Sequence, residues 1–509
     1  MTGSNSYLLL TGATGLLGRS LLRDLSARGR RIAVLVRSSK TAHAVSRVDE
    51  ILQDWREVAG VEVPCPVVLE GDITSAGLGL SSDQAAWVAR NVDEVVHCAA
   101  SLSFQMRESD GEPWNSNVHG TAHVLEMCRV SGIKRLHHVS SAYVCGLRRG
   151  KILETELDVG QTPGNDYERS KIASEKAAVS ASFLDVCTVH RPSIIVGDLV
   201  TGFTNTFHGF YKPLRIIQPF VQAFVDAALE SGSLLDALGM KGDEKKNLVT
   251  VDWVSAVMTR IIGDRSLHGR TYHLTATKPT SVAALCRVFE QLAGEMAQSN
   301  EREKLESLAA GKPAATLDPA MLIRLFGDQM HVYRAYWSDD PQFDSTEVIR
   351  IAPDLLSPEL DDQTLMRLCR FAITNKFRWP PPSRQQRLPS VRPLLERIVG
   401  EPQWSPPSGS SALGIAAIGA GGGQWTLCCD QRRALSLHVG LPGVDVPTMW
   451  LASKTLEDLL TGRESADSIH ARGGSAIEAP DRARCDDAMG IMRQLTLPLA
   501  ARHRPVQPA

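Results

Sequence analysis

Tyr167 and Lys171 stand four residues apart in Asn165–Lys171 (NDYERSK), which enters a helix-like stretch running through Glu175. On a helix that spacing puts both side chains on one face. A phenol whose pKa is lowered by a neighbouring ammonium is a workable acid near neutral pH. Upstream lies a serine pair, Ser140–Ser141, in Val139–Gly146 (VSSAYVCG), directly after an apolar run. Tyr/Lys pairs at this spacing also arise by chance, so the elements around the pair must decide its meaning.

Those elements alternate. Apolar runs at Tyr7–Thr11, Arg31–Arg37, Val67–Leu69, Glu94–His97, Leu136–Val139 and Val186–His190 are each followed by Gly, Asp or Ser and, along most of this stretch, by a helical pattern. Buried strands alternating with helices predict a doubly wound α/β fold, a parallel sheet covered on both faces. Right-handed crossovers then bring the strand C-termini to one edge, where ligands bind. Gly12, Gly15 and Gly18 sit in the first strand–helix turn, the context in which glycines admit a pyrophosphate to a helix N-terminus. The second strand ends at Arg37-Ser38-Ser39-Lys40. An acid there would hold a ribose 2′-hydroxyl, whereas Arg suits a 2′-phosphate, so the expected cofactor is NADP(H).

Composition excludes several classes. The 509 residues carry 55 Lys+Arg against 57 Asp+Glu, a net charge of −2, which argues against a nucleic-acid binder. At ~100–200 residues per domain, the length implies two to four domains. A membrane span needs ~20 apolar residues, and the best stretch, Ala412–Ala420, has about half that. The N-terminus lacks the basic start and apolar core of a signal peptide, and the ten cysteines form no paired framework; both point to a cytoplasmic protein with reduced thiols. His137 and His138 alternate faces on the fifth strand with no Cys, Asp or Glu at metal-ligand spacing, so packing roles and no metal are expected. Asp339–Asp340 and Asp361–Asp362 read as loop and helix-start residues rather than a catalytic dyad.

Taken together, TGATGLLG, GDI (Gly71–Ile73), VVHCAA (Val95–Ala100), NVHGT (Asn117–Thr121), VSSAY, YERSK and HRPSIIVG (His190–Gly197) resemble an extended short-chain dehydrogenase/reductase. Within it, the thioester-reductase and fatty-acyl-CoA-reductase group (male sterility NAD-binding) is the nearest likeness, and LVTVDWV (Leu248–Val254) resembles that group's valine–aspartate strand end. The resemblance covers residues 5–275 and implies roles. Tyr167 would protonate a carbonyl oxygen as hydride arrives. Lys171 would bind the nicotinamide ribose and depress the tyrosine pKa. Ser141 would hydrogen-bond the substrate carbonyl, with Ser140 structural. Gly12, Thr14, Gly15, Leu16 and Gly18 would cradle the cofactor with Arg37. Asp72 and Ile73 would flank the adenine, Ala99 would line the cofactor cleft, and Pro192 would sit by the nicotinamide, while His97 reads as a strand-end residue near the cofactor. Asn117 is either catalytic or a helix-start residue holding backbone.

Beyond this part, an apolar and aromatic stretch in 200–245 is read as substrate channel or core, and 276–400 as a mostly helical substrate lobe. A Pro/Ser-rich linker is expected over 401–423. Residues 424–509 are expected to form a small α+β unit; GGGQWTL, PTMWLASKTLEDLLTGRESAD and GGSAIEA resemble a sterol-carrier-protein-type lipid-binding domain, the alternative being a unit that mediates dimerisation or stabilises the chain. The expected function is NADPH-dependent reduction of an acyl thioester, on CoA or an acyl carrier protein, or of a lipophilic carbonyl, to aldehyde or alcohol. Alternatives with the same triad are a hydroxysteroid-type ketone/alcohol oxidoreductase and a nucleotide-sugar epimerase or dehydratase; a non-catalytic dinucleotide and lipid sensor is a further class. A homodimer is compatible with the edge helices.

Overall fold

The computed structural model describes residues 6–39, 43–56, 60, 63–217, 241–309, 339–379, 391–399, 412–418, 423–429, 435–441, 446–471, 475–479 and 482–495. Lys40, much of the apolar stretch (218–240) and the Pro-rich residues 380–390 and 402–409 therefore lie outside the described residues.

Seven strands form the central sheet: β1 (Tyr7–Thr11), β2 (Ile32–Val36), β3 (Val67–Glu70), β4 (Val92–His97), β5 (Arg135–Val139), β6 (Val186–Pro192) and β7 (Thr271–Leu274). Their order is β7-β6-β5-β4-β1-β2-β3, and every neighbouring pair is parallel. Every residue of β1 and β2 is buried, as a sheet covered on both faces requires. The covering helices include α1 (Leu16–Ala27), α2 (Ala44–Asp54), α3 (Ser82–Asn91), α4 (Gly120–Val130), α5 (Asp166–Val179) and α6 (Val251–Gly263). Helix α1 packs on α6, and α4 on α5. The expected doubly wound fold is what the chain adopts.

Register decides what meets at the edge. Thr11 is level with His97, His97 with His138, and His138 with Val189. The residues that follow in each strand, Gly12, Cys98–Ala99, Ser140–Ser141 and Pro192, are therefore neighbours. Strand order reverses between β1 and β4, which opens a crevice beside Gly12.

A buried ion pair fixes α5 on this edge. Arg191, 1% exposed, donates to both oxygens of Glu175 at 2.6–3.1 Å and to the Glu154 carbonyl at 3.2 Å. Beyond β6, the short strand Ile194–Val196 pairs with Leu248–Thr250. Here Phe207, Phe210, Tyr211 and Leu214 pack with Val282 and Phe289 of α7 (Val282–Ala309) and Leu365 and Leu368 of α8 (Asp362–Thr374). Asp361 caps α8 by accepting from Thr364 N at 2.8 Å, the helix-start role expected of it.

The C-terminal residues form a mixed five-stranded sheet in the order Leu435–Val439, Gly423–Cys429, Ala412–Ile418, Thr448–Ala452, Ser475–Glu478. Residues 401–423 are thus not linker throughout: Ala412–Ile418 is the central strand, antiparallel to one neighbour and parallel to the other. Its small residues gave the stretch the look of a weak apolar run, whereas alternation gives it two buried faces. Leu413, Ile415 and Ala417 face a core shared with Met449, Leu451 and Leu456, while Ala416 and Trp450 join the cluster of the parallel sheet. Helix Arg392–Val399, expected within the substrate lobe, sends Leu395 into this C-terminal core. Among the described residues no helix is long and apolar enough to cross a membrane.

Removing one partner of the Arg191–Glu175 pair strands a buried charge. Arg191→Met should lower the unfolding free energy by about 3–5 kcal/mol in urea titration. Combining it with Glu175→Leu should recover most of that loss; a single variant as stable as the parent would show that the pair does not hold α5.

Candidate active site

The glycine turn is built by close backbone approach. Gly12 has φ +76°, and a Cβ there would stand 2.6 Å from Ala99 N; a Cβ on Gly18 would stand 2.1 Å from Gly12 O. Gly15 N donates back to Gly12 O at 2.9 Å. No side chain caps α1, so its first N–H groups point to the edge without a side-chain acceptor. This cradle fits a pyrophosphate. Ala99 donates its N–H to Thr11 Oγ1 at 3.2 Å and so closes the turn from the β4 side.

At the far end of the crevice, Arg37 is two-thirds exposed and lies 3.6 Å from Asp72 Oδ2. Asp72 itself accepts from Thr74 N and Oγ1, both at 2.9 Å, and Ile73 packs where a side chain on Gly120 would stand. Sequence reasoning missed Arg47, on the first turn of α2. It donates to Arg37 O at 2.6 Å and to Thr14 Oγ1 at 3.2 Å, and burial with the Arg37 charge holds its pKa below the ordinary value. The Arg37 charge is thus near enough to be felt at Arg47, while the Arg37 guanidinium itself lies by Asp72. No spacing rule links Arg47 to Arg37; the packing of α2 does. Asn205, also missed, donates to Thr14 O at 3.1 Å and ties the second lobe to the turn.

Tyr167 lies in the first turn of α5, where Asn165 caps by accepting from Glu168 N at 2.9 Å. Asp166 clamps the β4 loop to that turn, its N donating to Phe104 O at 3.1 Å and its carboxylate accepting from Met106 N at 2.9 Å. The Tyr167 phenol shares a hydrogen bond with Ser141, and Lys171 Nζ donates to Val139 O at 2.7 Å. Ser141 Oγ also accepts from Tyr143 N at 3.2 Å. The three predicted catalytic side chains thus converge. The expected acidified phenol is not what the structure holds: burial pushes Tyr167 up to about 12, with the Ser141 bond as the offset. Burial likewise brings Lys171 down to about 8. A neutral phenol is the form that can give a proton.

Asn117 resolves to the structural reading. It accepts from Ser101 N at 2.8 Å and donates to Ser101 O at 3.0 Å and Ser170 Oγ at 2.8 Å. Beneath the site, His97 bridges Thr11 and Thr121 at 2.8 and 3.1 Å and stays neutral, its pKa lowered by burial to about 3. Sequence spacing found no acidic partner for His137, but the fold supplies one. Glu94, His137 and His268 bring ligand atoms within 4.8 Å of one another. His137 Nε2 lies 3.2 Å from Glu94, whose other oxygen accepts from Arg30 at 3.1 Å, an ion-paired network at the opposite end of the strands from the site.

One cavity of about 460 Å³ joins these parts. Gly12, Gly15, Leu16, Gly18, Ser141, Tyr167, Lys171 and Pro192 border it, with Phe104 packed beside Tyr167; the second lobe contributes Phe210, Leu248, Val282 and Phe289 together with Thr206, His208 and Lys246. Thr14, Arg37, Asp72, Ile73 and Ala99 stand around it rather than in its wall. The aromatics of the second lobe are therefore both core and cavity wall.

Residues 10–258 match the family model described as "Male sterility protein". The chain is 24% identical over 243 residues to Fatty acyl-CoA reductase wat of Drosophila melanogaster, 41% of this chain and 47% of that protein. It is 31% identical over 198 residues to Sterol demethylase protein B of Methylococcus capsulatus, 37% of this chain and 51% of that protein. Among solved structures, the terminal R domain from the myxalamid PKS-NRPS biosynthetic pathway shares the fold at TM-score 0.55 and 22% identity, over 75% of this chain and 94% of that one. The matched part spans between 5% and 51% of the length of curated relatives such as these. Residues 10–258 thus match the male sterility NAD-binding family model, and the chain shares its fold with a reductase domain of known structure.

Proposed function

We propose that the chain reduces an acyl thioester, carried on CoA or on an acyl carrier protein, with NADPH, giving the aldehyde and, after a second reduction, the alcohol. The observation that carries this reading is the single cavity that runs from the uncapped glycine turn past Ser141, Tyr167 and Lys171 to the mostly apolar side chains of the second lobe. Kinship with a fatty acyl-CoA reductase supports the acyl substrate, and the two guanidiniums at Arg37 and Arg47 support the 2′-phosphate. When bound, the cofactor supplies hydride to the carbonyl carbon.

The side chains do the rest. Ser141 and Tyr167 hydroxyls hold the carbonyl oxygen, and Tyr167 gives it a proton as the C–H bond forms. The resulting hemithioacetal breaks its C–S bond, its hydroxyl proton is lost, and the thiol leaves. Lys171, charged below its pKa, keeps a positive field beside the proton donor. A lipophilic ketone would present the same carbonyl oxygen, and the match to a sterol demethylase protein favours it as the second reading. On our reading the C-terminal unit built on the sheet around Ala412–Ile418 acts as a sterol-carrier-like holder for the acyl chain, and the enzyme works in the cytoplasm.

NADPH loss matched by thiol release on acyl-CoAs tests the reading; turnover of ketones or aldehydes alone would replace it with the second. Tyr167→Phe should cut turnover by about 10²–10⁴-fold with NADPH affinity nearly kept, as followed by fluorescence titration. Because Lys171 loses its proton as pH rises through about 8 while Tyr167 keeps its own, kcat/KM should fall on the alkaline side of that value. A profile flat across that region would remove Lys171 from the account. Arg37→Ala and Arg47→Ala should each raise the KM for NADPH by roughly tenfold or more, and for NADH far less; equal losses would point to the pyrophosphate instead.

A further inference from the structure

Glu94, His137 and His268 come from β4, β5 and the turn before β7, and the chemistry assigned to Ser141, Tyr167 and Lys171 uses none of them. Their side chains are 7%, 1% and 3% exposed. His268 decides what the group can do. Its Nε2 lies 3.1 and 3.2 Å from the carbonyl oxygens of Ile261 and Ile262 at the end of α6, and a carbonyl only accepts. Nε2 therefore carries the ring proton. Burial and the neighbouring His137 hold the pKa of His268 below its ordinary value, so the ring is neutral at pH 7 and Nδ1 keeps its lone pair. That lone pair has no hydrogen-bond partner among the described residues and stands 3.8 Å from Glu94 Oε1, one acceptor facing another.

The same carboxylate oxygen lies 3.2 Å from His137 Nε2, and the three ligand atoms all fall within 4.8 Å of one another. Around a tetrahedral zinc held at ~2.0–2.1 Å, neighbouring ligand atoms stand ~3.3 Å apart. Two edges are already near that length. Each side chain also has the outer contact that orients a ligand. Glu94 Oε2 accepts from Arg30 at 3.1 Å, and Arg30 is paired with Asp93 at 2.9 Å as well. His137 Nδ1 meets His190 Nε2 at 3.2 Å, and the two carbonyls hold His268. A cation would displace one contact, that of His137 Nε2 with Glu94; the His137 proton then sits on Nδ1, where His190 accepts it. Two imidazoles and one carboxylate suit zinc better than calcium or magnesium.

We propose that Glu94, His137 and His268 bind a divalent cation of the zinc type, which clips the turn before β7 to β4 and β5. None of the three borders the active-site cavity, so the role is structural and independent of the thioester reading. Sequence spacing hides the site because its ligands are joined only by the fold.

The test strips the full chain with EDTA, adds zinc chloride and removes free metal by gel filtration. One zinc should remain per chain. X-ray absorption should then show nitrogen and oxygen neighbours at ~2.0–2.1 Å with imidazole carbons behind them, and no sulfur at ~2.3 Å. That spectrum is taken on the parent, so it decides the matter even where a variant fails to fold. His268→Gln and Glu94→Gln should each weaken zinc binding by more than the ~10–100-fold that loss of an outer contact costs, measured by chelator competition. Zinc at about a hundred times its Kd should raise the parent's Tm by roughly 5 °C and leave that of His268→Gln unmoved. No retained zinc, a sulfur-containing shell, or zinc held as tightly by His268→Gln would overturn the proposal, the last two marking metal caught elsewhere on the chain.

Discussion

Arg191 gives three hydrogen bonds to the Glu175 carboxylate in a place closed to water, so α5 cannot slide along β6 without stranding both charges. That constraint fixes Lys171, one turn back on the same helix, where its ammonium meets the Val139 carbonyl at the end of β5. Tyr167, one turn further back, then reaches Ser141. Helix, strand end and serine turn are thereby one rigid unit, and the parallel sheet sets this unit beside the glycine turn. Preorganisation of this kind lets a hydroxyl pair receive developing charge without reorganising first.

The electrostatics follow from the same burial. A phenol raised to about 12 remains an acid, and a lysine lowered to about 8 is poised near physiological pH. Neutral histidines under the site, His97 above all, add no competing charge. The cavity then divides its labour. Its sheet side is shaped by backbone and small residues that admit a dinucleotide. The second lobe contributes mostly aromatic and aliphatic side chains, with Thr206, His208 and Lys246 among them. The C-terminal sheet is not a loose appendage, since Ala416 and Trp450 are packed into the core cluster of the parallel sheet.

What the sequence revealed was mostly what short-range periodicity and spacing encode. Strands β1 to β6, the glycines and the Tyr167–Lys171 face were legible because each is a local pattern. Arg47 and Asn205 were not, because their partners come from distant segments joined only by packing. The Glu94–His137–His268 group was invisible for the same reason. Spacing reports the ammonium near Tyr167 but not the burial that pushes its phenol up to about 12. Ala412–Ile418 is hard to read as a strand, since small apolar residues beside a Pro-rich stretch resemble linker until a neighbouring strand supplies hydrogen-bond partners.

The central claim is that dinucleotide and thioester meet over Ser141 and Tyr167 in one cavity. The most direct test supplies NADPH deuterated at the transferable position together with decanoyl-CoA and analyses the products by mass spectrometry. The account predicts deuterium on the former thioester carbon in step with the thiol released, and loss of both in Tyr167→Phe. Thiol released without deuterium in the product would mean hydrolysis, and would contradict it.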